Sequence, residues 1–410
     1  MISGLLLPCI AIALLVGGAA CTSRPPQNTL RLLVPNGIVG RALLKQFEQE
    51  YKTRNRTSIT VEVDSFSFND NLYALLTQDS LTYYDALMVS GVWLPMLCAA
   101  DKSFFAYDYL QPLDPERLHP HSIYEPWTLG LSHYDRDNLR SRPYCYATCG
   151  IMYRPSTVRR EEAKSWEVLW NPKFAGQIQM RQRERDLYAV TTMYLHRQLL
   201  RDSAEHYTYP RPYKRQLHFL LCYGPSTTRE RVDSVVRALE QQAPLVKAYA
   251  GVEGGHTFAG SSATIAMCYS SEAIMAMEEN NDVAFEIPAD GSYVVMCSWG
   301  IPARAKNISA AYEFLQYINR SDEAHQTMNL TGWTSAIAST LAEVRADLLV
   351  SERYLSRPEA WRSQFMSTLL LSTDTQKRIW TMRHEDEHLE YLHGSIRAFL
   401  ERQPNQKFLE

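Results

Sequence analysis

The stretch RPYCYATCGIMYRP, residues 142–155, can be read as a helix or as a strand, and the fold turns on which it is. A helix would bring the thiols of Cys145 and Cys149 together, because residues four apart are neighbours on a helix surface. The composition argues for a strand. Pro143 and Pro155 bracket the stretch, Gly150 interrupts it, and tyrosine, threonine and isoleucine suit a pleated surface. In a strand, Cys145, Ala147, Cys149 and Ile151 share one face, and Tyr144, Tyr146, Thr148 and Gly150 share the other. Four strand steps span about 13 Å, too far for a disulfide, whose Cα atoms lie about 4.4–6.8 Å apart. The thiols are therefore expected in packing, and the tyrosine face becomes the candidate for function.

Outward from this strand the chain alternates. LRLLVPNG (30–37) reads as a strand, RALLKQFEQEYKTR (41–54) as a helix, and SITVEVDSF (58–66) as a strand. NDNLYALLTQDS (69–80) reads as a helix, YYDALMVS (83–90) as a strand and WLPMLCAAD (93–101) as a short helix. Further on, SATIAMCYS (262–270) and YVVMCSWGIP (293–302) read as strands, and ISAAYEFLQYINR (308–320) as a helix. From residue 340 the pattern is mainly helical. Alternation of this kind predicts an α/β fold. Residues 202–228 fit no clear element and read as an insertion.

The totals narrow the class. The chain has 410 residues, which favours two domains of ordinary size. Its 45% apolar and 21% charged content describes a soluble globular protein, and a net charge of −3 gives no basic footprint for nucleic acid. The 24 tyrosines suit polar pockets where rings both stack and hydrogen-bond. Residues 1–21, MISGLLLPCIAIALLVGGAAC, carry an apolar run from Leu5 to Val16, too short for a comfortable membrane span, followed by small residues and Cys21. The segment reads as an export signal ending like a bacterial lipoprotein signal, with Cys21 as the lipidated residue and residues 22–28 as a polar tether. It departs from the usual pattern in lacking a basic residue before the apolar run and in having Gly18 three residues before the cysteine. The six cysteines beyond it (Cys98, Cys145, Cys149, Cys222, Cys268 and Cys297) are expected to be mostly buried free thiols.

Two motifs suggest other chemistry. HEDEH (384–388) matches the H-E-x-x-H pattern of zinc hydrolases, with His384 and His388 as ligands. Yet Met382, Leu389, Leu392, Ile396 and Phe399 define the buried stripe of that helix, and His384 falls nearly opposite it, on the solvated side. GVEGGHTFAGSS (251–262) is glycine-rich but lacks the GK[ST] ending of a phosphate loop.

The ordered series LKQFEQEY (44–51), YDALMVS (84–90), LQPLD (110–114), YCYATCGIMY (144–153), SWEVLWNPKFAGQI (165–178), MEENNDVAFEIPADG (277–291) and WGIPARAKNISAAYEFLQYI (299–318) resembles the spermidine/putrescine-binding proteins, the extracytoplasmic receptors of polyamine ABC importers. The resemblance runs from about residue 30 to about residue 400, apart from the insertion. It implies a two-lobed periplasmic-binding-protein fold of class α/β, with the ligand in the cleft between lobes and crossing hinge strands. It places one lobe at 28–146 and 299–345, the other at 147–298 and 346–410, and the tyrosine face of the opening strand toward the cleft.

The same resemblance supplies candidate ligand residues. Ser90 matches a family serine, and Trp93 stands beside Val92, where the family has an aromatic. Two family carboxylates fall on Arg183 and Asp186. Family tryptophans fall on Tyr269 and Val295, a family aspartate on Cys297, and a family tyrosine on Trp333. An aromatic expected in the first loop is replaced by Gly37. Tyr146 joins this set from the strand reading. Two carboxylates that would hold ammonium groups are thus missing, and Arg183 and Arg185 flank the remaining Asp186. Glu272 and Asp70 are substitutes outside the family pattern.

The implied function is solute binding without catalysis or cofactor, by a monomer tethered through lipid outside the cytoplasmic membrane. The partners are a small molecule, by resemblance a polyamine, and ABC permease subunits, with no nucleic acid. The alternatives are a zinc-dependent hydrolase at His384 and His388, and a structural surface lipoprotein on a degenerate receptor scaffold.

Overall fold

The computed structural model describes residues 28–66, 80–91, 93–98, 109–131, 135–205, 228–251, 258–376, 378–381 and 389–403. Cys21, Asp70, Cys222, His384, His388 and most of the 202–228 insertion lie outside these residues.

Residues 142–153 are in a strand, and Arg154 and Pro155 lie beyond its end. This strand is β4, Ser141–Tyr153, buried along its whole length. The other strands are β1 (Thr29–Pro35), β2 (Thr60–Phe66), β3 (Ala86–Ser90), β5 (Ile178–Arg181), β6 (Val246–Ala250), β7 (Ile265–Tyr269), β8 (Ala284–Glu286), β9 (Ser292–Gly300), β10 (Thr334–Ser335) and β11 (Ile379–Thr381). They connect in the order β2-β1-β3-β9-β4-β7-β5-β6, with β8 and β10 also on β4 and β11 on β9. The pairs β1–β2 and β1–β3 are parallel, as are β5–β6 and β5–β7. Strands β4 and β9 run antiparallel between these two groups. The first half of β4 pairs with β9 and β10, and the second half with β7 and β8. The result is a two-lobed α/β architecture in which one long strand belongs to both sheets. β11 is the strand that the mainly helical reading of the C-terminal region missed. At three residues it is too short to show a period.

The family-like motifs meet in pairs. Asp85 accepts hydrogen bonds from the backbone N–H of Arg31 at 3.0 Å, Lys306 at 3.0 Å and Asn307 at 2.8 Å, which joins YDALMVS to IPARAKN. Asp290 accepts from Ser165 Oγ at 2.7 Å and Trp166 N at 2.9 Å, which joins PADG to SWEVLW. Each buried carboxylate accepts hydrogen bonds from a distant segment, Asp290 also from Arg201 Nε at 2.5 Å, and these bonds fix how the segments cross. Gly150 serves close packing, because a side chain there would place Cβ 2.7 Å from Glu286 O on β8.

The tyrosine face of β4 differs from expectation. Tyr144 is fully buried, its hydroxyl 2.6 Å from Thr327 Oγ1, and Tyr146 packs edge-on to Trp127 with ring centroids 4.8 Å apart. It is Cys149, on the other face, that lies near the charged cluster described below. The strand is covered on both sides, and its register with β9 shifts between Pro143 and Cys145. Alternation in a doubly buried strand distinguishes two packed faces and does not single out a solvent-facing one.

Candidate functional site

The parallel strands β5 and β7 end side by side, and each leads directly into a helix. The helix after β5 is Glu184–Leu195, and the helix after β7 is Ser270–Glu279. In α/β sheets ligands bind beyond the carboxyl ends of such strands. Here that position is filled by a charged cluster. Arg181, the last residue of β5, is 3% exposed. Its Nε donates to Asp186 Oδ2 at 2.9 Å, and its Nη1 donates to Glu272 Oε1 and Oε2 at 2.5 and 2.6 Å. The guanidinium carbon lies 4.5 Å from the centre of the Tyr269 ring.

Asp186 and Glu272 lie in the first turns of their helices, where helix dipoles favour negative charge. Glu272 Oε2 also accepts from Tyr269 N at 2.8 Å. Asp186 Oδ1 accepts from the hydroxyls of Tyr269 at 2.8 Å and Tyr293 at 3.0 Å. Burial opposes the charge on Arg181, but Glu272 and Asp186 outweigh it and hold the guanidinium well above its ordinary pKa. Burial, then the charge on Asp186, pushes the Tyr269 hydroxyl up as well. Burial pushes the Cys149 thiol up, with Asp186 adding to the effect. One guanidinium thus faces two carboxylates, and two helix N-termini of roughly +0.5 charge each bring the cluster close to neutrality.

Beside this cluster lies an apolar, aromatic region. Trp93, Cys149, Tyr269, Tyr293 and Val295 belong to one buried cluster that spans both lobes, and the half-buried Trp333 and Tyr109 pack against it. Trp333 also packs on the core of the first lobe. Gly332 presents it from a helix end with φ +70°, in a place where any side chain would strike Ser271.

The structure therefore groups Trp93, Asp186, Tyr269 and Trp333 in or against this one cluster. Ser90 adjoins it through its carbonyl, which accepts from Trp93 N at 2.9 Å, whereas Tyr146 and Cys297 are placed elsewhere. Ser90 is buried on β3 opposite Cys297 on β9, and Cys297 faces Cys145 on β4 within the first lobe's core. Cys297, 0% exposed, is in packing. Tyr146 belongs to the core formed with the helices Ser270–Glu279 and Glu359–Leu369. Sequence reasoning missed Arg181 and Tyr293. Tyr293 is two residues before Val295 and so on the same strand face, which was a usable signal. Arg183 and Arg185 were expected to neutralise Asp186, and Arg181, whose burial no local pattern discloses, makes a buried ion pair with it at 2.9 Å. Among the described residues there is no group of three or more His, Cys, Asp or Glu side chains suited to a metal ion, and no helix long and apolar enough to cross a membrane.

The family profile of the bacterial extracellular solute-binding proteins matches residues 42–349. The spermidine/putrescine-binding periplasmic protein of Escherichia coli K12 is 21% identical over 324 residues, covering 79% of this chain and 82% of that protein. Among solved structures, the spermidine/putrescine ABC transporter substrate-binding protein PotD of Streptococcus pneumoniae matches with a TM-score of 0.66 at 19% identity, over 91% of this chain and 99% of that one. The Tp0655 (TpPotD) lipoprotein of Treponema pallidum matches with a TM-score of 0.65 at 16% identity, over 90% and 99%.

Proposed function

The chain belongs to the bacterial extracellular solute-binding protein family, and on that premise we propose that it is the receptor of an ABC importer whose solute sits between the lobes, against Trp93, Tyr269, Tyr293, Val295 and Trp333. Its similarity to spermidine/putrescine-binding proteins makes a polyamine the reference ligand. One observation weighs against that ligand. Asp186, the remaining carboxylate of the family pattern, is already bound by Arg181 at 2.9 Å. An ammonium entering a cleft loses water and must regain charge-assisted hydrogen bonds. With Asp186 paired and Cys297 packed in the core, spermidine and putrescine have weak anchors. A small organic solute of low net charge, held by aromatic faces and hydroxyls, fits the site better.

We place one lobe boundary where the pairing partners of β4 change, between Thr148 and Cys149, close to the 146/147 expected from sequence, and the packing of Cys297 with Cys145 puts the second crossing earlier than the expected 298/299. Tethering through lipid on Cys21 is part of the same reading. The resemblance favours solute binding over a zinc hydrolase at His384 and His388 or a purely structural lipoprotein.

Calorimetry of the purified protein with spermidine, putrescine and a panel of zwitterionic and neutral solutes tests the ligand class. The expected result is no tight polyamine binding. A spermidine Kd below about 1 µM, or about −8 kcal/mol, overturns it.

A further inference from the structure

We propose that Arg181 is a built-in occupant of a cation subsite, and that this residue excludes guanidinium and primary alkylammonium groups from the receptor. The inference deepens the reading above and rests on it. The groups around Arg181 have the composition of a site for such a cation. Two carboxylates accept its N–H groups, Asp186 at 2.9 Å and Glu272 at 2.5 and 2.6 Å, and the Tyr269 ring lies 4.5 Å away. The Tyr269 and Tyr293 hydroxyls orient Asp186 by donating to its other oxygen. All of this stands at the carboxyl ends of β5 and β7, between two helix N-termini, and borders the aromatic cluster that spans both lobes. A bound cation would need carboxylates held by second partners, an aromatic face and exclusion of water. Each is present, and the cation is supplied by the chain itself.

The guanidinium is tethered, so it competes with any free cation at a high effective concentration. Removing the side chain at Cβ leaves two carboxylates without their partner and a space shaped for a planar or compact donor cation. The chemical class that fits is an alkylguanidinium or a primary alkylammonium. A quaternary ammonium lacks N–H donors and does not fit.

The test is chemical rescue. Arg181→Ala in the full chain is titrated with guanidinium, methylammonium, putrescine and tetramethylammonium, by calorimetry and by melting midpoint. Expected is saturable binding of the first three cations, at least about tenfold tighter than in the wild type, with tetramethylammonium inert. The melting midpoint of the variant should rise with millimolar guanidinium while that of the wild type does not. If Arg181→Ala does not fold without added cation, the double variant Arg181→Met, Glu272→Gln carries one unpaired carboxylate in place of two. It should bind methylammonium and lose that binding on Asp186→Asn. Variants that fold and respond to cations as the wild type does overturn the inference, and so does a gain that survives Asp186→Asn. The wild-type calorimetry above reports separately on the ligand class, so tight spermidine binding by the wild type defeats that reading whatever the variants do.

Discussion

Tyr269 and Tyr293, on different strands, direct their hydroxyls to the same oxygen of Asp186, at 2.8 and 3.0 Å. The other oxygen of that carboxylate is held by Arg181. Hydrogen bonds to charged groups contribute about 1.5–3 kcal/mol each. Tyr293→Phe is therefore expected to lower unfolding stability by about that amount, and Tyr269→Phe by a similar amount. Because the two share one acceptor, the double variant should depart from additivity. Urea titrations of the four proteins measure this, and strict additivity would argue that the shared acceptor is not formed.

On the first lobe, Arg320 makes two parallel bonds to Glu50, Nη1 to Oε2 and Nη2 to Oε1, both at 3.0 Å. The hydrogen bond from Arg320 holds the Glu50 carboxyl below its usual value of 4.5. A depressed folded-state pKa contributes stability above the unfolded value, and this is lost as pH falls through the folded one. Glu50→Gln should be less stable than wild type at neutral pH, and the difference should shrink as pH falls below 4.5. Melting curves at a series of pH values decide it. A difference independent of pH would show that the pair carries no linkage.

Burial raises the pKa values of the Cys98, Cys145, Cys149 and Cys268 thiols, and a thiol kept neutral and covered is a poor nucleophile. These four should resist iodoacetamide in the native protein and react on unfolding. Mass spectrometry of labelled peptides reads this directly, and rapid native labelling of Cys149 would place it at an open cleft surface.

Cys21 is expected to carry lipid. One acyl chain binds membranes marginally, so stable retention needs more than one chain or a second anchor. Metabolic labelling with a fatty acid should mark the wild type and leave Cys21→Ala unmarked and released from membranes. Unchanged labelling and retention in the variant would remove the assignment.

A single substitution checks how Trp333 is presented. Gly332 has φ +70° and packs against the backbone of Ser271. Gly332→Ala should cost about 1–3 kcal/mol of stability through backbone strain and overpacking. It should also disturb the environment of Trp333, so that tryptophan fluorescence shifts along with the unfolding midpoint. A fully stable variant with unchanged emission would show that the turn tolerates a side chain.

The sequence by itself determined that residues 142–153 form a strand and that strands and helices alternate, and its resemblance to a known family implied that SWEVLWNPKFAGQI and WGIPARAKN belong to a two-lobed solute-binding protein. The first two are local matters of periodicity and breakers, and the third rests on motif order, although in the fold Asp290 and Asp85 hold those motifs through bonds to distant segments. Tertiary structure alone decided which face of β4 adjoins the charged cluster, since a strand buried on both sides has no polar face to reveal its direction. It alone decided that Cys297 packs against the neighbouring strand in the first lobe's core. It alone paired Arg181 with Asp186 and Glu272, because an ion pair between residues 91 positions apart depends on where two helices begin in space, and no spacing along the chain records that.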